Sequence, residues 1–217
     1  MILLIGIEKG GTGKSTVATN LAVMRSQEKH DLLLVDADKQ MTASYWAARR
    51  AENNEENRII CVQKQGNKIH RDILDLSEKF DDILIDAGGQ DSQELRASMV
   101  IADVLCLPFQ ASQPDIWTLE TMEKLIDQAQ SLNPNLRVEV VINRAATNPQ
   151  ISEVQEAREC LKDYPNLTFH DIVIRERRAF RKAMMLGQAV TELQPSDEKA
   201  ISEMTSLYNQ IYHYGKH

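Results

Sequence analysis

The sequence predicts an α/β fold: a doubly wound, mostly parallel sheet with helices on both faces. Seven short runs are apolar at nearly every position, at 2–7, 32–35, 59–62, 83–85, 104–107, 138–142 and 168–174, the pattern of strands covered on both faces. Segments of helical period fall between or after them, at 14–27, 41–51, 69–80, 93–102, 116–132, 152–162, 178–186 and 196–212. Alternation of this kind closes through right-handed crossovers onto a parallel sheet. A chain of 217 residues, 42% hydrophobic, can bury one full core and has little room for a second. Residues 1–217 are therefore read as a single domain.

The first run opens directly into a glycine loop. Gly6-Ile7-Glu8-Lys9-Gly10-Gly11-Thr12-Gly13-Lys14-Ser15 fits G-x-x-x-x-G-K-[ST], and the strand before and helix after it are the context that the pattern requires. Glycines let the backbone wrap a phosphate chain without Cβ clashes, and the helix N-terminus adds partial positive charge. Lys14 is expected at the β- and γ-phosphates, Ser15 at Mg²⁺ and Thr16 at the α-phosphate. The strand and helix on either side set this P-loop apart from a chance glycine turn.

Ligands of such sheets bind beyond the carboxyl ends of the strands, which directs attention to 36–39, 86–89, 108–113 and 143–144. Asp36, Asp38 and Asp86 fall there. Phosphoryl transfer needs an oriented water and neutralised charge more than a strong base. Taken alone, an aspartate ending a strand is also an ordinary turn residue.

Lys9 adds a second lysine, and Lys9-Gly10-Gly11-Thr12-Gly13-Lys14-Ser15 resembles the deviant Walker A box of the ParA/MinD family of P-loop ATPases. The resemblance covers essentially the whole chain. Leu32-Leu33-Leu34-Val35-Asp36-Ala37-Asp38-Lys39-Gln40 resembles the family's Asp-x-Asp-Pro-Gln strand, and Ile83-Leu84-Ile85-Asp86 its Walker B strand. By this likeness the cofactors are ATP and Mg²⁺, Lys9 reaches the phosphates of a partner protomer, and Asp38 positions the attacking water. Asp86 would hold Mg²⁺, Asp36 would support its water shell, and Asn143 in Val141-Ile142-Asn143-Arg144 would contact adenine. The nucleotide loop is then Lys9, Gly10, Gly11, Thr12, Gly13, Lys14, Ser15 and Thr16. Lys39 replaces the usual proline, and Ala87-Gly88-Gly89 a residue followed by two prolines; both resemble the small, plasmid-type branch. The stretch from Leu107 through Pro108 to Trp117 resembles the loop after the fifth strand, with Trp117 expected against the sheet or a dimer face.

Charge marks one further segment. Arg175-Glu176-Arg177-Arg178-Ala179-Phe180-Arg181-Lys182 carries five cations on a chain of net charge -7. The resemblance implies non-specific DNA binding there, through Arg175, Arg177, Arg178, Arg181 and Lys182. The plainer reading is a solvated face paired with nearby carboxylates. No helix-turn-helix domain is expected before the loop, which begins nine residues into the sequence. The end of the chain, 207–217, has Lys216 as its one lysine, so it is expected to pack on the body and not on a membrane. With no long apolar run and no leader-like start, the protein is expected in the cytoplasm, on the nucleoid. Cys61, Cys106 and Cys160 are expected as buried, reduced thiols.

The likeness implies an ATPase that forms an ATP-sandwich homodimer, coats DNA and works with a centromere-binding or cargo adaptor. The competing reading is a P-loop metabolic enzyme, a synthetase or amidotransferase that activates a small carboxylate; short length and the basic segment weigh against it. An iron-sulfur ATPase would need cysteine ligands that these three positions do not supply.

Overall fold

The structure is a computed structural model that describes residues 1–53, 57–66, 68–89, 92–111, 113–148 and 152–214, with side chains left out at 113–117. Its elements alternate as expected: β1 (Ile2–Ile5), α1 (Lys14–Gln27), β2 (Leu32–Ala37), α2 (Thr42–Asn53), β3 (Ile60–Gln63), α3 (Ile69–Ser77), β4 (Asp82–Ala87) and α4 (Gln93–Met99). There follow β5 (Val104–Phe109), α5 (Gln113–Leu132), β6 (Arg137–Ala145), α6 (Glu153–Leu161), β7 (Thr168–Arg175), α7 (Arg178–Leu186) and α8 (Glu198–Tyr212). The strands form one parallel sheet in the order β3-β2-β4-β1-β5-β6-β7. The order reverses about β1, so the loop that leaves it emerges at a switch point, where α/β sheets bind their ligands.

The strands' two-residue period sorts the core into two layers. Ile2 and Leu4 face the layer under α3, α4, α5 and α6, with Ile73, Leu95, Met122 and Leu161. Leu3 and Ile5 face the layer under α1, α2, α7 and α8, with Leu21, Trp46, Phe180 and Leu207. Helices on both faces are what the continuous apolar runs require.

Two strands depart from that expectation. β3 and β7 are the edges and are only partly covered. β7 also loses step with β6 twice, between Val140 and Ile142 and again before Ala145, and Asp171 in it has φ 58°.

Helix ends differ from the sequence reading by a few residues for identifiable reasons. α4 stops at Met99, where the Asn133 amide donates to the carbonyls of Met99 (3.1 Å) and Ala102 (2.8 Å). α8 packs through Leu207, Tyr208, Ile211 and Tyr212, as expected, and Arg137 caps it by donating to the Gln210 and Ile211 carbonyls at 3.2 and 2.7 Å. Lys216 lies outside the described residues.

A 3-10 turn at Val190–Glu192 had no sequence signal. It forms where the buried Arg50 guanidinium takes both Glu192 oxygens at 2.8 Å, while Trp46 Nε1 donates to the Gln188 carbonyl and Asn53 to that of Leu186. These contacts clamp α2 to the end of α7. The cysteines are free; Cys106 is buried, whereas Cys61 and Cys160 are half-buried, contrary to full burial for all three. Burial pushes the Cys61 thiol up to about 12. Among the described residues no helix is long and apolar enough to cross a membrane.

Candidate nucleotide site

The glycine loop leaves β1 at the centre of the sheet and turns into α1 at Gly13. Gly13 has φ 88°, and a Cβ there would come within 2.5 Å of the Asn143 amide nitrogen, so both backbone and neighbour demand glycine. Three of the loop's carbonyls are held by side chains. That of Lys9 accepts from Lys14 Nζ at 2.7 Å, and that of Thr12 from Asn143 Nδ2 at 2.6 Å. The Gly11 carbonyl accepts from Arg144 Nη1 and more distantly from Gln110 Nε2. The fully buried Thr12 leaves its hydroxyl oxygen without a partner.

Lys14 is 6% exposed. Burial lowers its pKa, and the nearby Asp86 and Asp38 carboxylates oppose that shift. Asp36 is fully buried and accepts from the backbone of Asp38 (3.1 Å) and of Ser44 (2.7 Å), which ties the end of β2 to the first turn of α2. Asp38 therefore projects from a loop that Asp36 shapes, and its own Oδ1 accepts from the Gln40 backbone at 3.0 Å. Opposite it runs the Gly88-Gly89 segment. A Cβ on Gly89 would sit 2.6 Å from Gly10 Cα, so this segment lies directly on the phosphate loop, and only glycine permits that approach.

Asp86, next to last in β4, has both carboxylate oxygens buried and lacking hydrogen-bond partners. The Ser15 hydroxyl is close enough to act on the carboxyl without being seated as a hydrogen bond. Burial raises the pKa of Asp86 to about 7; Asp36 and Asp38 push the same way, while Ser15 and Lys14 pull back. Orphaned carboxylate oxygens beside a hydroxyl and a phosphate loop suit a hard divalent cation that takes its remaining ligands from water and phosphate.

These groups border a cleft of about 850 Å³. Gly10, Gly11, Gly13, Lys14, Ser15, Thr16, Asp38 and Asn143 line it, as do the exposed Lys39 and the Gly88-Gly89 segment. Asp36, Asp86 and Thr12 are fully buried, and Lys9 is half-buried at the start of the loop. The Trp117 side chain is outside the described residues.

The basic segment divides between two surfaces. Arg175, Arg177 and Arg181 line the nucleotide cleft together with Phe180. Arg177 is forked onto Glu203 and Arg175 donates to the Ala146 carbonyl at 2.6 Å, so both are tied inward. Arg178, Arg181 and Lys182 are exposed and, with Met185 and Leu186, line a shallow groove on the outer side of α7. Sequence reasoning missed Glu203, which lies 26 residues beyond Arg177 with no marker to pair them. It also gave no role to Arg144 or Glu176, although both stand in segments it singled out.

Comparisons with known proteins agree with this geometry. The family model described as the CobQ/CobB/MinD/ParA nucleotide binding domain matches residues 3–190. The maintenance of carboxysome distribution protein A of Halothiobacillus neapolitanus is 22% identical over 205 residues, covering 94% of this chain and 92% of its own. An ATP complex of a Cyanothece McdA variant superposes with a TM-score of 0.81 at 17% identity, over 97% of this chain and 95% of that one. The cell division ATPase MinD of Pyrococcus furiosus gives 0.75 at 20% identity, over 98% of both chains. At such identities the two structures speak for the fold, and the family model speaks for kinship. With its phosphate loop, buried strand-end aspartates and parallel sheet all in place, the chain belongs to the CobQ/CobB/MinD/ParA family of nucleotide-binding domains.

Proposed function

We propose that the protein is a Mg²⁺-dependent ATPase of the ParA kind. It pairs with a second copy when ATP is bound, holds DNA without sequence preference and, through an adaptor, partitions plasmid DNA or positions a cargo. The observation that carries this reading is that one cleft joins Lys14 and the glycines of the phosphate loop, the Asp38 carboxylate and the base of the cationic helix α7, with the Asp86 carboxyl buried beside Lys14.

Lys14 holds the phosphates, and Asp38 orients the water that attacks the γ-phosphorus as its bond to the leaving ADP breaks. Ser15 and Asp86 would hold Mg²⁺, with Asp36 supporting its water shell, and the ion would supply charge neutralisation at the phosphate oxygens. Lys9 extends to the nucleotide of the second protomer. The Nδ2 of Asn143 is engaged by the loop, so its Oδ1 is the atom that accepts from an adenine amino group.

DNA contact falls to Arg178, Arg181 and Lys182, the members of the basic segment that face outward. Three cations per protomer make a weak patch that pairing doubles. The likeness to carboxysome distribution proteins supports a positioning role, with a protein body as an alternative cargo to a plasmid. The protein then acts in the cytoplasm on nucleoid DNA, with no membrane partner.

A salt-titrated shift assay on random-sequence duplex, with ATP and Mg²⁺, with ADP and with no nucleotide, tests this. Retention in ATP alone, with a log–log salt slope of about -5 for roughly six phosphate contacts, is the expected result. Absence of retention in all three states would return the chain to the metabolic-enzyme reading.

A further inference from the structure

Asn143 and Arg144, consecutive at the end of β6, hold two consecutive carbonyls of the phosphate loop, those of Thr12 and Gly11. A trans peptide points its N–H opposite to its C=O. Holding the Gly11 carbonyl therefore aims the Thr12 amide, and holding the Thr12 carbonyl aims the Gly13 amide, toward the hollow of the loop. Asn143 is buried and needs no further support, but Arg144 is 42% exposed at its side chain and is braced from behind. Its Nε donates to Glu176 at 2.6 Å, and Glu176 is fixed by its own backbone bond to the Ala145 carbonyl at 2.8 Å. Arg144 also has φ 54°, a left-handed conformation that side-chain-bearing residues keep only where their surroundings over-determine it.

We propose that Arg144 is a positioning residue for nucleotide binding, which presets the phosphate-loop amides by holding the Gly11 carbonyl, and that Glu176 locks it in that pose. The role rests on the reading of residues 9–16 as the phosphate site. The sequence pattern of the loop does not contain this support, because it comes from two strand ends far along the chain. Loop amides that already converge bind phosphate without first losing conformational freedom, which is the usual gain from preorganisation. The effect applies to any nucleotide with a β-phosphate, before and after hydrolysis.

Nucleotide binding by the full chain, with fluorescent ADP and AMPPNP as probes and steady-state hydrolysis beside them, separates the outcomes. Arg144→Ala should weaken ADP and AMPPNP alike by about tenfold, the equivalent of one lost charge-assisted hydrogen bond. KM should rise with them, and the saturating rate should fall less than KM rises. Arg144→Lys should recover part of the affinity, since an ammonium can reach the Gly11 carbonyl but cannot fork to Glu176 as well. Glu176→Ala should weaken both ligands in the same direction, and it carries the test if Arg144→Ala fails to fold. Lys14→Ala is the reference for the loop itself. If Lys14→Ala binds as the wild type does, the loop reading is wrong. If Lys14→Ala loses ADP while Arg144→Ala and Glu176→Ala keep wild-type affinity, the positioning role is overturned. A fall in rate at unchanged ADP affinity overturns it too, in favour of a direct contact with the transferred phosphate.

Discussion

The Arg177 guanidinium forks onto the Glu203 carboxylate, with Nη2 2.6 Å from one oxygen and Nε 3.1 Å from the other, and so joins the start of α7 to α8. Both side chains are mostly buried, at 16% and 14% exposure, and Glu203 raises the arginine's pKa. Glu203→Gln should cost about 2 kcal/mol, because it weakens two charge-assisted bonds around a buried cation. At this chain length that is a melting temperature lower by about 4–8 °C. DNA retention should fall less than in Arg178→Ala with Lys182→Ala. An unchanged melting temperature with lost retention would return Arg177 to the DNA face.

Lys14 is buried beside the Asp86 and Asp38 carboxyl groups and rests on the Lys9 carbonyl. Lys14→Ala should reduce ATP and ADP affinity by at least about a hundredfold, since it removes the buried cation of the glycine loop that is proposed to meet the phosphates. Equilibrium binding of labelled ADP measures this directly.

Asp38 faces the cleft from a loop that Asp36 shapes, next to the Gly88-Gly89 segment. Asp38→Ala should leave ATP bound and slow phosphate release by about a hundredfold or more, the usual weight of a residue that orients the nucleophile. Protein of twice the monomer mass should then persist in ATP, read by light scattering. Full hydrolysis in this variant would remove Asp38 from the water-positioning role.

Asp86 makes stability without ligand depend on pH. Its pKa is raised to about 7 in the folded chain against 3.8 for a free side chain. The folded state therefore holds the proton more tightly, and between about pH 4 and 7 stability falls as pH rises, by up to about 4 kcal/mol at full effect. Asp86→Asn removes the penalty. Without nucleotide or divalent cation, that variant should melt above the wild type at pH 8, with the gap closing toward pH 4. An equal gap at both ends would mean that Asp86 is not the group responsible.

Most of the fold was legible because strands covered on both faces have little choice of residue. Leu3, Leu4, Leu84 and Leu105 are fully buried, and their runs gave the sheet. The phosphate loop was legible because Gly13 admits no alternative and Lys14 and Ser15 follow it directly. What stayed hidden depends on partners distant in sequence. Arg50 and Glu192 create the 3-10 turn across 142 positions, and nothing local marks either. The basic segment was legible as charge but not as direction. A count of cations cannot tell Arg177, turned inward to Glu203, from Arg178, one residue on and exposed. Arg144 was hidden for the same reason, since its role comes from meeting Gly11 across 133 positions.

The broken step between β6 and β7 bears on how copies of this chain can meet. An outer strand with an even row of unsatisfied amides is a template on which another chain's strand can grow. β7 offers no such row: its ladder slips twice, Asp171 turns the backbone out of the extended region, and its exposed positions include Thr168, His170 and Asp171. The opposite border, β3, is four residues long. Growth by strand addition is thus disfavoured on both flanks. Filaments of the protein, if they form, should therefore lack the 4.7–4.8 Å cross-strand repeat in fibre diffraction.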